Sequence, residues 1–209
     1  MSADALVLAT RNEGKLRELA RILNHQVTGL DAFPGAPDVP ETGATFEANA
    51  LLKARAIAAY TGLPAVADDS GLCVDALNGM PGVLSARWAG RHGADQANLD
   101  LVLAQVADVP DARLGARFVC AAALVVPAAN PHRGEWVTTG EVVGRLIRQP
   151  RGSGGFGYDP IFLPDGFEQT TAEMTPEAKD AISHRGRAFR ALAPYIQGAS
   201  HDRPAARAR

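Results

Sequence analysis

Ala5-Leu6-Val7-Leu8-Ala9-Thr10-Arg11-Asn12-Glu13-Gly14-Lys15-Leu16 decides the fold. Ala5 to Ala9 is a compact apolar run, which suits a strand buried on both faces. Thr10 to Lys15 interrupts it with polar residues. Leu16, Leu19, Ala20 and Leu23 then recur at helical spacing, with Asn12 placed as an N-cap. The chain therefore opens strand, polar loop, helix. In open α/β sheets ligands collect beyond the carboxyl ends of strands. A helix N-terminus there offers free N–H groups and partial positive charge to a phosphate. Lys15 adds an ammonium one turn in. The glycine spacing is not that of a P-loop, and no Ser or Thr follows the lysine. On local grounds a capped helix with a solvated lysine is the simpler reading.

The pattern continues outward from this unit. Asp31 to Ala44 is rich in Pro and Gly and reads as a loop. Thr45 caps a helix to about Tyr60, with Gly62 just past its end. Leu63 to Ala67 is a short strand expected to end on Asp68-Asp69-Ser70-Gly71. Ala94 to Ala107 is amphipathic, with Leu99, Val102, Leu103 and Val106 on one side. Arg117 to Pro127 and Glu135 to Ile147 read as an antiparallel pair. Arg151 to Asp159 is a glycine-rich loop, and Thr175-Pro176-Glu177 starts a short helix. Ser183 caps a last helix carrying Phe189, Leu192 and Tyr195. Strands alternating with helices, plus one hairpin, predict a single α/β domain on a mixed sheet over residues 1–197. The tail, 198–209, has almost no large apolar residue and is expected to be disordered.

The 209 residues are 46% hydrophobic and 21% charged, enough for one good core. The formal net charge of -2 disfavours nucleic acid as a partner but leaves room for a small anion on a local cationic cluster. Cys73 and Cys120 stand among apolar neighbours and read as small buried hydrophobes. The longest apolar stretch, Val119 to Pro127, is too short to cross a bilayer. No basic segment leads into an apolar run and cleavage site at the N-terminus, so the cytoplasm is the expected compartment.

Several clusters carry candidate chemistry. Asp68 and Asp69 are adjacent, so in extended chain they point to opposite faces, and one of them reaches a given site while the other braces it. Hard carboxylate oxygens suit Mg²⁺, although paired Asp is also common in turns. Glu41, in the Pro-rich loop before the second helix, reads by itself as a solvated loop acid. Lys53 lies four residues from Asn49 on one helical face, directed either to the cleft of Asp69 or to water. Gly152 to Gly157 lets backbone approach a ligand, and Phe156 and Tyr158 offer rings for stacking on a base. A flexible hairpin with a core-anchoring Phe is the alternative. Lys179 and Ser183-His184-Arg185 gather cations at a helix start, and no Ser or Cys nucleophile stands out to pair with His184. Together these supply phosphate grips, a metal site and a base platform, which amounts to a nucleotide site.

Five blocks stand in order: Thr10-Arg11-Asn12-Glu13-Gly14-Lys15, Asp68-Asp69-Ser70-Gly71-Leu72, Gly79-Met80-Pro81-Gly82, Phe156-Gly157-Tyr158-Asp159-Pro160 and Ser183-His184-Arg185. In these the chain resembles the inosine triphosphate pyrophosphatases, or non-canonical purine NTP pyrophosphatases, over about Leu6 to Tyr195. The resemblance implies a long mixed sheet flanked by helices, with two lobes and an active-site cleft between them. It implies a homodimer that requires Mg²⁺ and converts ITP, dITP or XTP and water to the monophosphate and pyrophosphate. Such an enzyme cleanses the nucleotide pool.

By the same resemblance Thr10, Arg11, Asn12, Glu13, Gly14, Lys15 and Lys53 hold the triphosphate, and Ser70 contacts substrate. Glu41 and Asp69 bind the metal, and Asp69 is also the proton acceptor. Phe156, Gly157, Tyr158, Asp159, Lys179, His184 and Arg185 form the purine pocket. Base choice has a physical account: Arg185 or His184 donates to O6 and Asp159 accepts from N1–H, a pattern adenine reverses. The alternatives are a pyrophosphatase for pyrimidine or modified nucleotides and a sensor that binds without turnover.

Overall fold

The computed structural model describes residues 6–23 and 27–200, with the side chains of all of these except Glu13, Arg17 and Ser200. Strands β1 (Leu6–Leu8), β2 (Val27–Thr28), β3 (Ala65–Val74), β4 (Gly115–Val126), β5 (Gly134–Leu146) and β6 (Phe162–Pro164) form one sheet in the order β2-β1-β3-β4-β5-β6. The β2–β1 and β1–β3 pairs are parallel, and the remaining pairs are antiparallel. This is the expected open mixed sheet flanked by helices.

The helices are α1 (Glu13–Leu23), α2 (Phe46–Thr61), α3 (Asp95–Gln105), α4 (Pro176–Ile182) and α5 (His184–Ser200). Their ends carry the expected caps. Asn12 Oδ1 accepts from Lys15 N at 3.0 Å, Thr45 Oγ1 from Ala48 N at 3.2 Å, and Ser183 Oγ from Gly186 N at 2.9 Å. Gly62 closes α2 in the left-handed region, φ 69°.

The two-residue period of the strands sorts the core. Val66, Cys120, Ala122, Leu124 and Val126 face Leu19, Phe189 and Leu192 of α1 and α5. Ala65, Ala67, Ala121, Ala123 and Val125 face Ala50, Ala54 and Ile57 of α2. A third cluster joins Leu72, Val74 and Phe118 to Leu99 and Val102 of α3. Along one face of β3 the apolar run therefore breaks between Val66 and Leu72, and Asp68 and Ser70 stand in the gap. Cys73 and Cys120 are buried free thiols, as expected.

Two boundaries differ from expectation. The strand foreseen as Leu63 to Ala67 runs on to Val74, straight through Asp68-Asp69-Ser70-Gly71. Pairing with the small residues Ala122 and Ala121 of β4, and the cations described below, carry the acids into the sheet interior. The second difference is that α5 continues past the boundary at 197 to Ser200, because Ala199 packs into the α1–α5 core. Residues 201–209 of the expected tail lie outside the described residues.

Candidate active site

A cavity of about 550 Å³ opens where the third core cluster and the α1–α5 core part, and Asn12, Lys15, Asp69, Phe156, His184 and Arg185 are among its lining residues. A second cavity of about 510 Å³ shares Asn12, Lys15, Glu41 and His92 with it and adds Thr10, Arg11 and Lys53. The two form one cleft with a deep end and a shallow end.

The shallow end is built on the β1–α1 turn. Thr10 Oγ1 accepts from Asn12 N at 3.1 Å, so both side chains spend their oxygens shaping the turn. Those bonds satisfy Asn12 N and Lys15 N, while Gly14 and Lys15 line the cleft. Arg11 lies along the wall of the second cavity, donating to Ala36 O at 2.8 Å beside Asp38 at 3.5 Å. The side chain of Glu13 lies outside those described.

The pleat sends the paired acids apart. Asp68 Oδ2 meets Lys15 Nζ at 3.0 Å, Arg185 Nε at 3.2 Å and Ser70 Oγ at 2.8 Å. Burial alone would raise this carboxyl, but Lys15 and Arg185 outweigh it and hold Asp68 far below the usual carboxylate range. Asp69 points to the α2 face, where Asn49 Nδ2 donates to Oδ2 at 2.9 Å and Lys53 Nζ lies 3.8 Å from Oδ1. Burial, reinforced by the negative charge of Glu41, pushes Asp69 up to about 6 against the pull of Lys53. Lys53 is nearer Glu41, 2.7 Å from Oε1; burial lowers its value, but Asp69, Asp68 and Glu41 together overcome this and raise it. Glu41 is held below its ordinary value: burial opposes this, and Lys53 and Arg87 overcome it.

Glu41 and Asp69 flank one cation, the Lys53 ammonium, so a positive charge already sits where two hard carboxylates converge. Among the described residues no three His, Cys, Asp or Glu side chains gather as a metal cage. Two carboxylates beside an open cleft fit an ion that takes its other oxygens from phosphate and water.

The deep end carries the rings. Phe156 is 37% exposed, and its ring lies 5.2 Å from Lys179 Nζ and 5.7 Å from Arg185 Cζ. Tyr158 departs from the expectation of a ring offered for stacking. It joins the third core cluster and donates to Ser85 O at 2.8 Å, so it anchors the loop while Phe156 stays free to stack. Gly157 N donates to Asp95 Oδ2 at 3.1 Å. His184 stacks on Phe118 at 4.9 Å, and burial together with Arg185 and Lys179 keeps it well below its usual value and neutral. A Cβ on Gly140 would meet His184 O at 2.3 Å, so glycine in β5 lets the start of α5 seat directly on the sheet.

Two residues assigned to base reading are committed elsewhere. Asp159 accepts from Thr171 Oγ1 at 2.8 Å through Oδ1, and from Phe156 N at 2.9 Å and Lys179 through Oδ2. Its two oxygens thus hold the loop in shape. Arg185 is buried between Asp68 and Glu18.

The structure thus gathers Asn12, Gly14, Lys15, Glu41, Asp69, Ser70, Phe156 to Asp159, Lys179, His184 and Arg185 around the deep cavity, with Thr10, Arg11 and Lys53 on the adjoining one. Sequence reasoning did not single out Glu18, Ser85, Arg87, His92, Asp95 or Phe118. Arg87 ends a 3₁₀ turn, Gly82–Arg87, that follows the Gly79-Met80-Pro81-Gly82 block. That block marked the region but none of its side chains.

A model of the Ham1 family matches residues 6–195. A Streptomyces coelicolor protein named dITP/XTP pyrophosphatase is 60% identical, the match covering 92% of this chain and 96% of that one. A solved Mycobacterium abscessus structure, described as a nucleoside-triphosphatase / dITP/XTP pyrophosphatase, shares 56% identity at a TM-score of 0.73, covering 91% of this chain and 99% of that one. The structure of a HAM1 protein from Coxiella burnetii shares 40% identity at a TM-score of 0.83, covering 95% and 100%. Among the described residues no helix is long and apolar enough to cross a membrane.

Proposed function

The chain belongs to the Ham1 family, and on that premise we propose that it is a nucleoside-triphosphate pyrophosphatase. It hydrolyses dITP, XTP and ITP to the monophosphate and pyrophosphate, and so clears non-canonical purines from the nucleotide pool. The observation that carries this is the single cleft joining Phe156, Asp69, Glu41, Lys15 and the α1 N-terminus.

Mg²⁺, when bound, would supply charge neutralisation for the triphosphate. Glu41 and Asp69 hold it. Lys15, Lys53 and the first-turn amides of α1 grip the phosphates and offset the charge that builds on the leaving group. Water oxygen bonds to the α-phosphorus, the bond from that phosphorus to the bridging oxygen breaks, and pyrophosphate leaves in line. The water proton passes to Asp69. Without a bound metal cation, burial and the charge of Glu41 raise this carboxyl to about 6, and a cation held by the same carboxylate would lower it again. In this reading the working unit is a homodimer in the cytoplasm.

Phe156 is the stacking platform for the purine. Phe156→Ala is expected to raise KM for ITP by roughly tenfold or more, from the ~1–3 kcal/mol that base stacking contributes. It should leave the melting temperature almost unchanged, because the ring is 37% exposed. Steady-state kinetics alongside a thermal melt checks this. A large loss of stability with unchanged KM would show that Phe156 is only a packing residue.

A further inference from the structure

Taking Glu41 and Asp69 as the metal-holding pair, as above, we propose that Arg87 locks Glu41 in the free protein, so that metal loads together with the triphosphate. Protein cations occupy both oxygens of Glu41: Lys53 Nζ stands 2.7 Å from Oε1 and Arg87 Nη1 2.8 Å from Oε2. Arg87 Nη2 also donates to the Glu41 main-chain carbonyl at 3.1 Å. One guanidinium therefore holds both the carboxylate and the loop that carries it.

The lock stands on firm footing. Arg87 closes the 3₁₀ turn Gly82–Arg87, and within that turn Ser85 Oγ donates to Gly82 O at 2.6 Å and accepts from Leu72 N at 2.9 Å. A Cβ on Gly71 would meet Gly82 O at 2.3 Å, so the turn rests directly on the strand of Asp69. The far side of Arg87 is looser. His92 Nε2 lies 3.5 Å from Nη1, between Gly90 at φ 90° and Gly93 at φ 75°. His92 lines both cavities, so the guanidinium lies one contact behind the point where the two ends of the cleft meet.

A divalent cation that approaches Glu41 alone meets these two positive charges first. To bind, it must displace them and leave half-buried cations without an anion, which is unfavourable. A triphosphate changes the exchange. Its oxygens take up the displaced guanidinium and ammonium while the carboxylate is freed. Lys53 is shared between Glu41 and Asp69, whereas the ion pair of Arg87 is with Glu41. Arg87 is thus a positioning residue that acts through Glu41, and it couples the two ligands reciprocally.

The test is Mn²⁺ titration of the full chain, read from the electron paramagnetic resonance of the free ion. It is run with and without inosine 5′-(α,β-imido)triphosphate. Without nucleotide, Arg87→Gln should bind Mn²⁺ about tenfold tighter than wild type, within the usual span of coupling. Arg87→Lys should stay close to wild type. The analogue should tighten Mn²⁺ binding in wild type by about tenfold more than in Arg87→Gln. Equal or weaker Mn²⁺ binding by Arg87→Gln overturns the lock, as does wild-type binding that is the same with and without the analogue. If no form binds Mn²⁺ even with the analogue, Glu41 and Asp69 are not the metal pair, and both readings fall.

Discussion

Asp69→Asn is expected to abolish turnover and to make the protein more stable. A positioned proton acceptor contributes about 10²–10⁴-fold, so kcat should fall by at least ~100-fold. The stability effect runs the other way because the carboxylate is held under protest. Burial and the charge of Glu41 raise Asp69 from 3.8 to about 6. A folded-state value above the unfolded one means that ionised Asp69 disfavours the native state. A change of that size corresponds to roughly 3 kcal/mol. Below about pH 4 the acid is neutral in both states and this penalty vanishes; it grows as pH rises through 6. Asn keeps the shape and can still accept from Asn49. In chelator-treated protein the melting advantage of Asp69→Asn should therefore be near zero at pH 4 and several degrees at pH 8. An inactive variant that is less stable at pH 8 would make Asp69 a structural acid.

Arg185→Ala is expected to cost about 3–5 kcal/mol, the usual penalty for breaking a buried ion pair from one side. Arg185 is 2% exposed and sits between Asp68 and Glu18, also buried. Arg185 meets Glu18 at Oε2, and Oε1 has no hydrogen-bond partner among the described residues, so Arg185 is the main compensation for that charge. Removing it strands Glu18 and leaves Asp68 with Lys15 as its remaining close cation. Asp68 is depressed in the folded state, so its contribution is present above the unfolded value of 3.8 and fades as pH falls below it. The deficit of Arg185→Ala should accordingly be large at pH 7 and shrink in acid. Urea unfolding at pH 7 and pH 3 measures both. Wild-type stability together with relaxed discrimination between ITP and ATP would restore Arg185 as a base reader and remove it as a keystone.

That second prediction shows where sequence reading stops. The motif around Arg185 is legible as a cationic helix start, and its cap on Ser183 is where the spacing puts it. What the arginine touches is not legible, because Glu18 lies 167 positions away and Asp68 117. The strand–loop–helix opening, the hairpin and the caps follow from local periodicity, and those elements stand within a few residues of expectation. The course of β3 does not. Two adjacent acids read locally as a turn, and only pairing with Ala121 and Ala122 and the distant cations make them tolerable inside a strand. Short partners such as β2 and β6, of two and three residues, carry too little pattern to be seen alone. Tyr158 and Phe156 are alike in composition and context, yet one is core and the other faces the cleft. The difference lies in Ser85 O, which only the folded chain brings to the tyrosine hydroxyl.

The most direct measurement is product analysis of the purified protein with Mg²⁺ and equal concentrations of ITP, dITP, XTP, ATP, GTP and dTTP, scoring pyrophosphate separately from phosphate. Pyrophosphate released mainly from ITP, dITP and XTP, one per monophosphate formed, is the predicted result. Tight ITP binding without pyrophosphate, or release mainly from dTTP, would contradict it.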